Sequence, residues 1–318
     1  MKAALVKAPG TLPVYADFAE PAAAEGAVRV KVTASALSHV AKSRASGKHY
    51  SAASTFPFVA GVDGVGTLDD GTRVYFVFPE APSGAMAEYC FVKKNRCIPL
   101  PSDLNDVSAA AIAIPGMSSW AALVERARLV KGETVLINGA TGCSGRLAVQ
   151  VAKHLGASKV IATGRHAQSL QSLQALGADV TISLAQDKDA LAAEFRAHFK
   201  EGVGVVLDYL WGPSAELLLA GATQAAPDAV PIRFVQIGAI SGPDITLPSA
   251  TLRSTAIELM GSGIGSVPMP RILDAVKQLL HAAGPSGFQV AARSVPLAEV
   301  EQHWTDDESR ERTVFVMG

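Results

Sequence analysis

Three glycines spaced three residues apart mark the stretch of this 318-residue chain that is best suited to binding a charged ligand. Gly139, Gly142 and Gly145 follow the apolar run 135–137, and apolar residues at helical spacing follow them as far as Gly156. This order indicates a strand, a tight turn and a helix. A glycine turn lets the backbone approach a pyrophosphate, whose charge the N–H groups opening the helix attract. We therefore predict a dinucleotide site, although glycine turns also join strands to helices for purely geometric reasons.

The chain around this turn alternates short apolar runs with helical stretches. Strands are predicted at 135–138, 160–163, 180–183, 205–209, 234–238 and 257–261, and a helix from about Arg271 to Gly284. Short apolar runs of this kind are typical of parallel strands buried on both faces and joined by crossover helices. We predict a doubly wound parallel sheet, a Rossmann domain, over residues 116–284.

The flanking segments have a different pattern. Residues 28–32 alternate strictly between apolar and charged, and closely spaced glycines and prolines punctuate the neighbouring runs up to about Leu100. Strand-like runs return at 289–295 and 313–317, with a short helix between them. Such short, closely spaced strands predict a barrel-like β domain. The α/β fold expected is thus a β-rich catalytic domain, 1–115 plus 285–318, with the parallel domain inserted into it.

Composition excludes several classes of protein. The formal net charge is −1, with both signs spread along the chain, so we expect no nucleic-acid partner. No uninterrupted apolar run approaches the ~20 residues that span a bilayer. The beginning of the chain resembles a first strand more than a signal peptide, and a cytoplasmic location is expected.

The cysteines do not form a pattern that binds metal. Cys90, Cys97 and Cys143 are odd in number and include no CxxC pair, which argues against a disulfide framework and a cysteine-rich zinc site. We expect reduced thiols. Cys143 in the glycine turn is interpreted as a small residue beside the phosphates, and a thiol of lowered pKa at a helix start is the alternative.

The residues after the second parallel strand indicate which dinucleotide binds. An acidic residue there bonds the ribose hydroxyls of NAD, whereas a basic residue accommodates the 2′-phosphate of NADP. Here the strand ends in Gly164-Arg165-His166, and no acid follows until Asp179. Arg165 offers a planar fork matched to phosphate, with His166 and Ser169 as possible helpers. NADPH is the predicted cofactor, the alternative being a solvated loop arginine.

Four stretches matched in order together resemble a known family. They are residues 56–66 with 71–74; 115–123; the turn 139–145 with Gln150 and Lys153; and 177–179 leading to 205–208. On these stretches the chain resembles the medium-chain dehydrogenase/reductase superfamily, in its zinc-independent quinone oxidoreductase branch. The resemblance implies a Rossmann domain inserted into a GroES-like catalytic domain.

The resemblance also implies that no metal takes part. Zinc alcohol dehydrogenases of the superfamily have Gly-His-Glu where this chain has Gly61-Val62-Asp63, and an early Cys where it has residues 37–39. Valine cannot ligate zinc, and catalytic zinc needs three protein ligands. His39 is expected to be an ordinary polar residue lining the cleft, the alternative being a remnant pair with Asp63.

Without a metal, another group must handle the charge and the proton. Hydride transfer to a quinone or enone builds negative charge on the substrate oxygen, which hydrogen-bond donors or solvent must stabilise. The resemblance implies Tyr50, because these reductases carry R-x-G-x-Y where this chain has Arg44 to Gly47 and then Tyr50, with extra residues between. A phenol remains protonated at neutral pH. Tyr50 as a packing residue, and Lys48 or His49 as donors, are the alternatives.

The resemblance extends to residues beside the cofactor. Ser118 matches a Thr near the nicotinamide in relatives, and Leu210 with Trp211, and Gly238 with Ala239, match loops that flank the cofactor. Relatives often hold the 2′-phosphate with a Lys and a Tyr where this chain has Ser169 and Leu184, so Arg165 must carry more of that contact. The predicted cofactor residues are Ser118, Gly139, Ala140, Thr141, Gly142, Cys143, Ser144, Gly145, Gly164, Arg165, His166, Leu210, Gly238 and Ala239.

The function predicted is NADPH-dependent, metal-free hydride transfer to a quinone or an α,β-unsaturated carbonyl. An enoyl-thioester reductase is one alternative, for which only Lys42, Arg44 and Lys48 offer basic groups at the cleft mouth. A non-enzymatic NADPH-binding protein, crystallin-like or a sensor, is another. By analogy, the edge strand 257–261 pairs two copies into a homodimer. One sequence does not specify the natural substrate.

Overall fold

The computed structural model describes residues 1–20, 25–47, 55–307 and 311–318. These residues divide into two compact units. Unit 1 consists of Met1–Ile114 and Lys277–Gly318, and unit 2 is Pro115–Val276. Unit 2 therefore interrupts unit 1 in the sequence.

The elements follow one another in three segments. The first contains β1 (Lys2–Val6), β2 (Val14–Asp17), β3 (Ala27–Ala36), α1 (His39–Ala45), β4 (Phe58–Val59), β5 (Asp63–Leu68), β6 (Arg73–Val77), β7 (Tyr89–Lys93), β8 (Cys97–Pro99) and α2 (Asp106–Ala121), which continues as a π-helical turn (Ala122–Arg126). The second contains β9 (Thr134–Asn138), α3 (Cys143–His154), β10 (Lys159–Gly164), α4 (Ala167–Gln174), β11 (Val180–Ser183), α5 (Lys188–Glu201), β12 (Val203–Asp208), α6 (Gly212–Ala225), β13 (Ile232–Gln236), α7 (Ser249–Ser254), β14 (Ile257–Gly261) and α8 (Met269–Ala283). The third contains β15 (Ala292–Pro296), α9 (Val300–His303) and β16 (Arg312–Val316).

Unit 1 is built from antiparallel strands. One sheet has the order β2-β1-β4, and the other has the order β15-β16-β3-β5-β6-β8, with β7 also paired to β3. Only the β15–β16 pair among these ladders is parallel. Val30 and Val32 of β3 are buried beside Val74 and Phe76 of β6, whereas Lys31 is exposed. The strict alternation of residues 28–32 therefore marks a strand with one face in the core.

Unit 2 is a parallel sheet in the order β11-β10-β9-β12-β13-β14. Its first strand, β9, lies in the interior beside β10 and β12, so the chain reverses direction of travel across the sheet at β9. This is the strand order of a doubly wound nucleotide-binding domain. The predicted α/β fold class is confirmed.

Helices cover both faces of the parallel sheet. Leu136, Val206 and Phe234 share one core with Phe195 of α5 and Leu218 of α6. Side chains alternate between faces along a strand, and the neighbouring side chains of β9, at 135 and 137, are also fully buried. The opposite face is therefore covered as well, as expected of buried parallel strands.

Most predicted strands shift by no more than two residues. The strand predicted at 234–238 ends at Gln236, because the next two N–H groups, of Ile237 and Gly238, donate to the Asp208 carbonyl at 2.7 and 3.2 Å. The strands at 180–183 and 257–261 have the predicted bounds.

One helix in the described part of the chain is long and apolar enough to span a membrane by those two criteria alone. It runs from Asp106 to Arg126, and 67% of its most apolar window is buried inside the protein. Its fully buried residues include Ala109, Ala113 and Leu123. This burial is typical of a helix packed in a protein core.

The three glycines of the turn between β9 and α3 have different steric reasons for lacking a side chain. Gly139 has a φ of +88°, and a Cβ there would lie 2.7 Å from Leu210 Cγ. A Cβ on Gly145 would lie 2.5 Å from Ala140 Cα, so α3 packs directly on the turn. A Cβ on Gly142 would meet no atom within 4 Å.

We predict that Gly145→Ala lowers the thermal unfolding midpoint of unit 2, because the backbone of Ala140 must move away from the new methyl group. Overpacking of this kind costs ~1–3 kcal/mol. Gly142→Ala is the matched control, since space is open there and the φ of −80° suits alanine. Equal midpoints for the two variants in differential scanning calorimetry would contradict the close packing described.

Candidate active site

A buried hydrogen-bond network ties together the carboxyl ends of β9, β10 and β12. The Asn138 side-chain amide donates to Asp208 Oδ1 at 2.8 Å and to Ser214 Oγ at 2.9 Å. Thr163 Oγ1 donates to Asn138 Oδ1 at 2.8 Å and accepts from the Gly139 N–H at 3.0 Å. Asn138, Thr163 and Asp208 are all fully buried. The network therefore fixes the start of the glycine turn relative to two neighbouring strands.

Asp208 also holds the loop that follows its own strand. Its carboxylate accepts from the N–H groups of Leu210 at 3.0 Å and Trp211 at 3.2 Å. Burial raises the pKa of this carboxyl, and the Leu210, Asn138 and Trp211 donors oppose the rise. Trp211 has a φ of +59°, a left-handed conformation that costs ~1–3 kcal/mol in a non-glycine residue. The loop is thus held in a strained shape by buried hydrogen bonds.

The predicted residues of the glycine turn and of the end of β10 lie together. The Ala140 N–H donates to the Thr163 carbonyl at 2.8 Å. A Cβ on Gly164 would lie 2.3 Å from Thr141 Cγ2, so the turn packs against the end of β10. The other predicted turn residues, Cys143, Ser144 and Gly145, form the first turn of α3. The first N–H groups of a helix have no intrahelical acceptor and are suited to bind an anion.

A groove of about 810 Å³ opens beside this turn at the carboxyl edge of the sheet. Arg165 lines it, together with Leu210. Most of the lining is apolar, and it includes Leu184, Leu191, Pro213, Leu217, Leu219, Ala220, Ile240 and Pro248. Arg165 is exposed and has no ion-pair partner among the described residues, whereas His166 is the N-cap residue of α4 and does not line the groove.

Lys188 lines the same groove and was not predicted from sequence. It is the first residue of α5, exposed, and likewise has no ion-pair partner in the described ranges. Positive charge therefore reaches the groove from the residue after β10 and from the start of α5. A local motif would not have found Lys188, because only the order of the sheet brings 165 and 188 together.

The remaining predicted cofactor residues lie near Tyr209, which sequence reasoning also missed. Ser118 Oγ lies 3.3 Å from Tyr209 Oη. A Cβ on Gly238 would lie 2.7 Å from the Tyr209 carbonyl oxygen, and the Ser241 N–H donates to the Leu210 carbonyl at 2.8 Å. Ala239 is exposed in the same loop. Ser118, Leu210 and Gly238 are thus gathered around one buried tyrosine.

In unit 1, the segment 61–63 that was compared with the zinc site of alcohol dehydrogenases contains a buried acid. Val62 and Asp63 are buried, and His39 begins α1 with an exposed side chain. Asp63 Oδ2 accepts from Tyr75 Oη at 3.0 Å, and its Oδ1 has no partner within the described residues. No cluster of three or more His, Cys, Asp or Glu that could hold a metal occurs among the residues that the structure describes. Tyr50, the predicted proton donor, lies outside those residues.

The environment of Asp63 favours its neutral form. Burial raises the pKa of this carboxyl to about 7, against the lowering effects of the Tyr75 hydrogen bond and the Arg312 charge. Arg312 is itself buried and donates to the Leu37 carbonyl at 2.7 Å. Near neutral pH, Asp63 is therefore only partly ionised.

Comparisons with known proteins agree with this architecture. Residues 145–283 match the family described as zinc-binding dehydrogenase, a match that lies outside the segments 37–39 and 61–63. The chain is 28% identical to a probable NADPH-dependent quinone reductase of Emericella nidulans, over 96% of each chain. It is 30% identical to an Arabidopsis thaliana chloroplastic NADPH-dependent alkenal/one oxidoreductase, over 55% of this chain and 50% of that one.

Solved structures of quinone oxidoreductases share this fold over 99% of the chain. A mycobacterial quinone oxidoreductase superposes with a TM-score of 0.85 at 23% identity, covering 99% of both chains. The quinone oxidoreductase of Thermus thermophilus, solved alone and with NADPH, superposes with a TM-score of 0.80 at 26% identity, covering 99% of this chain and 100% of that one.

A doubly wound unit with a glycine turn, inserted into an antiparallel unit, defines a dinucleotide-binding dehydrogenase or reductase. Over nearly its whole length the chain is similar to quinone oxidoreductases of the medium-chain dehydrogenase/reductase superfamily.

We predict that Asp63→Asn removes part of the pH dependence of stability. An unfolded aspartate has a pKa of ~3.9, so the folded state with its raised pKa binds the extra proton. Stability from this group is fully present below about pH 4 and is lost as pH rises through about 7, by on the order of a few kcal/mol. As pH rises from 5 to 8, the wild type should lose stability that the variant keeps, so the unfolding midpoint of the variant should rise relative to that of the wild type.

The control is Asp69→Asn, which changes an exposed carboxyl of the same unit. The difference between its unfolding midpoint and that of the wild type should not vary over this pH range. An Asp63→Asn difference that is equally constant would show that Asp63 is ionised throughout.

Proposed function

We propose that the protein is a cytoplasmic, NADPH-dependent oxidoreductase that transfers hydride to a quinone or an α,β-unsaturated carbonyl without a metal. The observation that carries the proposal is the network-fixed glycine turn beside an apolar groove that Arg165 lines. In this proposal, unit 2 binds the nucleotide, and unit 1 supplies groups for the substrate.

The residues present fit NADPH. The open space at Gly142 leaves room for a pyrophosphate at the start of α3. The apolar groove suits an adenine ring, and Arg165 and Lys188 supply positive charge for the 2′-phosphate. Neither Arg165 nor Lys188 has an ion-pair partner among the described residues, so binding of the 2′-phosphate breaks no ion pair there.

Bound NADPH supplies the hydride, and the protein must orient the acceptor and provide a proton. Tyr50 is the proposed proton donor, acting as a neutral phenol. Val62 supports the metal-free reaction, because it stands where relatives with zinc carry a histidine. The pairing of Asp63 with Tyr75 supports it too, since a buried carboxyl held partly neutral is a poor cation ligand.

Oxidation of NADPH by the purified protein tests the proposal. We expect turnover with a quinone or an enone that survives extensive treatment with a zinc chelator. Turnover confined to an enoyl-CoA would favour an enoyl-thioester reductase instead. Tight NADPH binding without oxidation across a broad quinone, enone and enoyl-thioester panel would favour a non-enzymatic role, and loss of turnover with zinc removal would refute the metal-free mechanism.

We predict that Arg165→Gln selectively weakens NADPH. A charge-assisted contact to phosphate contributes ~1.5–3 kcal/mol, so NADPH affinity should fall ~10- to 100-fold while NADH affinity stays within about twofold. Titration calorimetry with both cofactors measures this. Arg253→Gln, an exposed arginine outside the groove, is the matched control. Equal weakening of both cofactors by Arg165→Gln would remove Arg165 from the 2′-phosphate site.

We further propose a homodimer through β14. This strand ends the order of the parallel sheet, and an unpaired edge can pair with another chain. Glu258 and Leu259 are exposed on it. A groove of about 350 Å³ lies alongside and is lined by Arg126, Arg128, Pro231, Arg233, Glu258 and Met260, among others. Opposite charges along one edge suit a self-complementary contact.

Light scattering should give twice the chain mass of 32.9 kDa for the wild type. Leu259→Lys should shift the protein toward monomer at low micromolar concentration, because a two-fold axis brings the two new charges close together. Leu12→Lys, at a 52% exposed leucine of unit 1, should leave the mass unchanged. A monomeric wild type would refute the dimer.

A further inference from the structure

Tyr209 contacts Ser118 but has no role in the function proposed above. It follows Asp208 directly, at the carboxyl end of β12, and is only 6% exposed. A buried phenol normally finds a hydrogen-bond partner, and Tyr209 finds Ser118, 91 residues away in the sequence. The two residues belong to unit 2, so their contact is internal to it.

The hydrogen bonds of this pair assign a direction to every proton. Ser118 Oγ donates its only proton to the Pro115 carbonyl at 2.7 Å. A hydroxyl has one donor and two acceptor lone pairs, so the contact between Ser118 and Tyr209 must run from the phenol to the serine. Burial raises the pKa of Tyr209 to about 12, which keeps the phenol protonated at all physiological pH values. Ser119 Oγ likewise donates its proton to the Gly116 carbonyl, at 2.9 Å, so it gives none to Tyr209.

The consequence is an acceptor of fixed orientation. Ser118 is half-buried, its proton is committed to Pro115, and one of its lone pairs is committed to Tyr209. The other lone pair remains to accept from a ligand. This geometry selects a ligand group that donates, such as an amide NH₂, over one of similar shape that does not.

The position of the pair along the sheet indicates which part of the cofactor it faces. The groove with Arg165 lies beyond β10, and the glycine turn lies at β9. A dinucleotide whose 2′-phosphate is at Arg165 and whose pyrophosphate is at the turn continues toward β12 and β13. Tyr209 directly follows β12, and Gly238, after β13, packs against the Tyr209 carbonyl.

We propose that Tyr209 is a positioning residue that fixes Ser118 as the hydrogen-bond acceptor for the nicotinamide carboxamide. This inference rests on the proposed function, because it takes NADPH as the ligand. It gives Tyr209 a role, and it predicts that the site favours a cofactor whose nicotinamide ring carries a hydrogen-bond donor.

The test compares NADPH with its reduced 3-acetylpyridine analogue, in which a methyl group replaces the carboxamide NH₂. We expect the wild type to bind NADPH about tenfold more tightly than the analogue, the value of one hydrogen bond. Tyr209→Phe should reduce that ratio to about threefold or less, and Ser118→Ala should reduce it to about one. In the Ser118→Ala background, Tyr209→Phe should have no further effect on the ratio.

Binding of 2′,5′-ADP, which lacks the nicotinamide, separates the possible failures. If the wild type binds neither NADPH nor 2′,5′-ADP, the proposed function fails. If both bind and the carboxamide ratio is the same in the wild type and in Tyr209→Phe, the role of Tyr209 is refuted. Tyr89→Phe, a tyrosine of unit 1, is the control expected to keep the wild-type ratio.

A merely structural role for Tyr209 would weaken all three ligands together and leave the ratio unchanged. Should Tyr209→Phe fail to fold, Ser118→Ala carries the test alone. A ratio that stays near tenfold in Ser118→Ala would overturn the inference.

Discussion

The hydrogen-bond network of Asn138, Thr163 and Asp208 is the constraint on which the nucleotide side of the protein depends. It crosses the three interior strand ends where the sheet reverses its winding, the place at which doubly wound sheets bind ligands. Buried polar groups are costly unless paired, so these three side chains have little freedom to adopt other conformations. Their mutual hydrogen bonds make the carboxyl ends of these strands a rigid base for the loops that follow them.

Both halves of the candidate site depend on this base. On one side, the bond from Gly139 to Thr163 holds the glycine turn against the end of β10, from which Arg165 reaches the groove. On the other, Asp208 holds the backbone of Leu210 and the strained Trp211. A strained residue persists only where its surroundings determine it, and the Asp208 carboxylate supplies that restraint. Loss of Asp208 would therefore be expected to disturb the loop and the turn together.

The sequence predicted the fold well and the site only in part, and the difference has a physical origin. Apolar runs such as 135–138 and 160–163 identify strands because an uninterrupted apolar pattern reflects burial on both faces of the sheet. The glycine turn is similarly local. Lys188 and Tyr209 were missed because no local motif marks them: Lys188 meets Arg165 only at the groove, and Tyr209 meets Ser118, 91 residues away, only in the folded chain. The proposed dimer strand and the role of Tyr50 stay predictions.

The buried acid of unit 1 depends on its neighbours. Asp63 is buried next to Val62, and a buried carboxylate is costly unless it is paired. Two neighbours reduce that cost: Tyr75 donates to one oxygen, and the Arg312 charge lies close enough to lower the pKa. The positive charge of Arg312 also disfavours a second cation near this carboxyl. In the metal-free reaction proposed above, hydrogen-bond donors would stabilise the charge on the substrate oxygen without any change in their own charge.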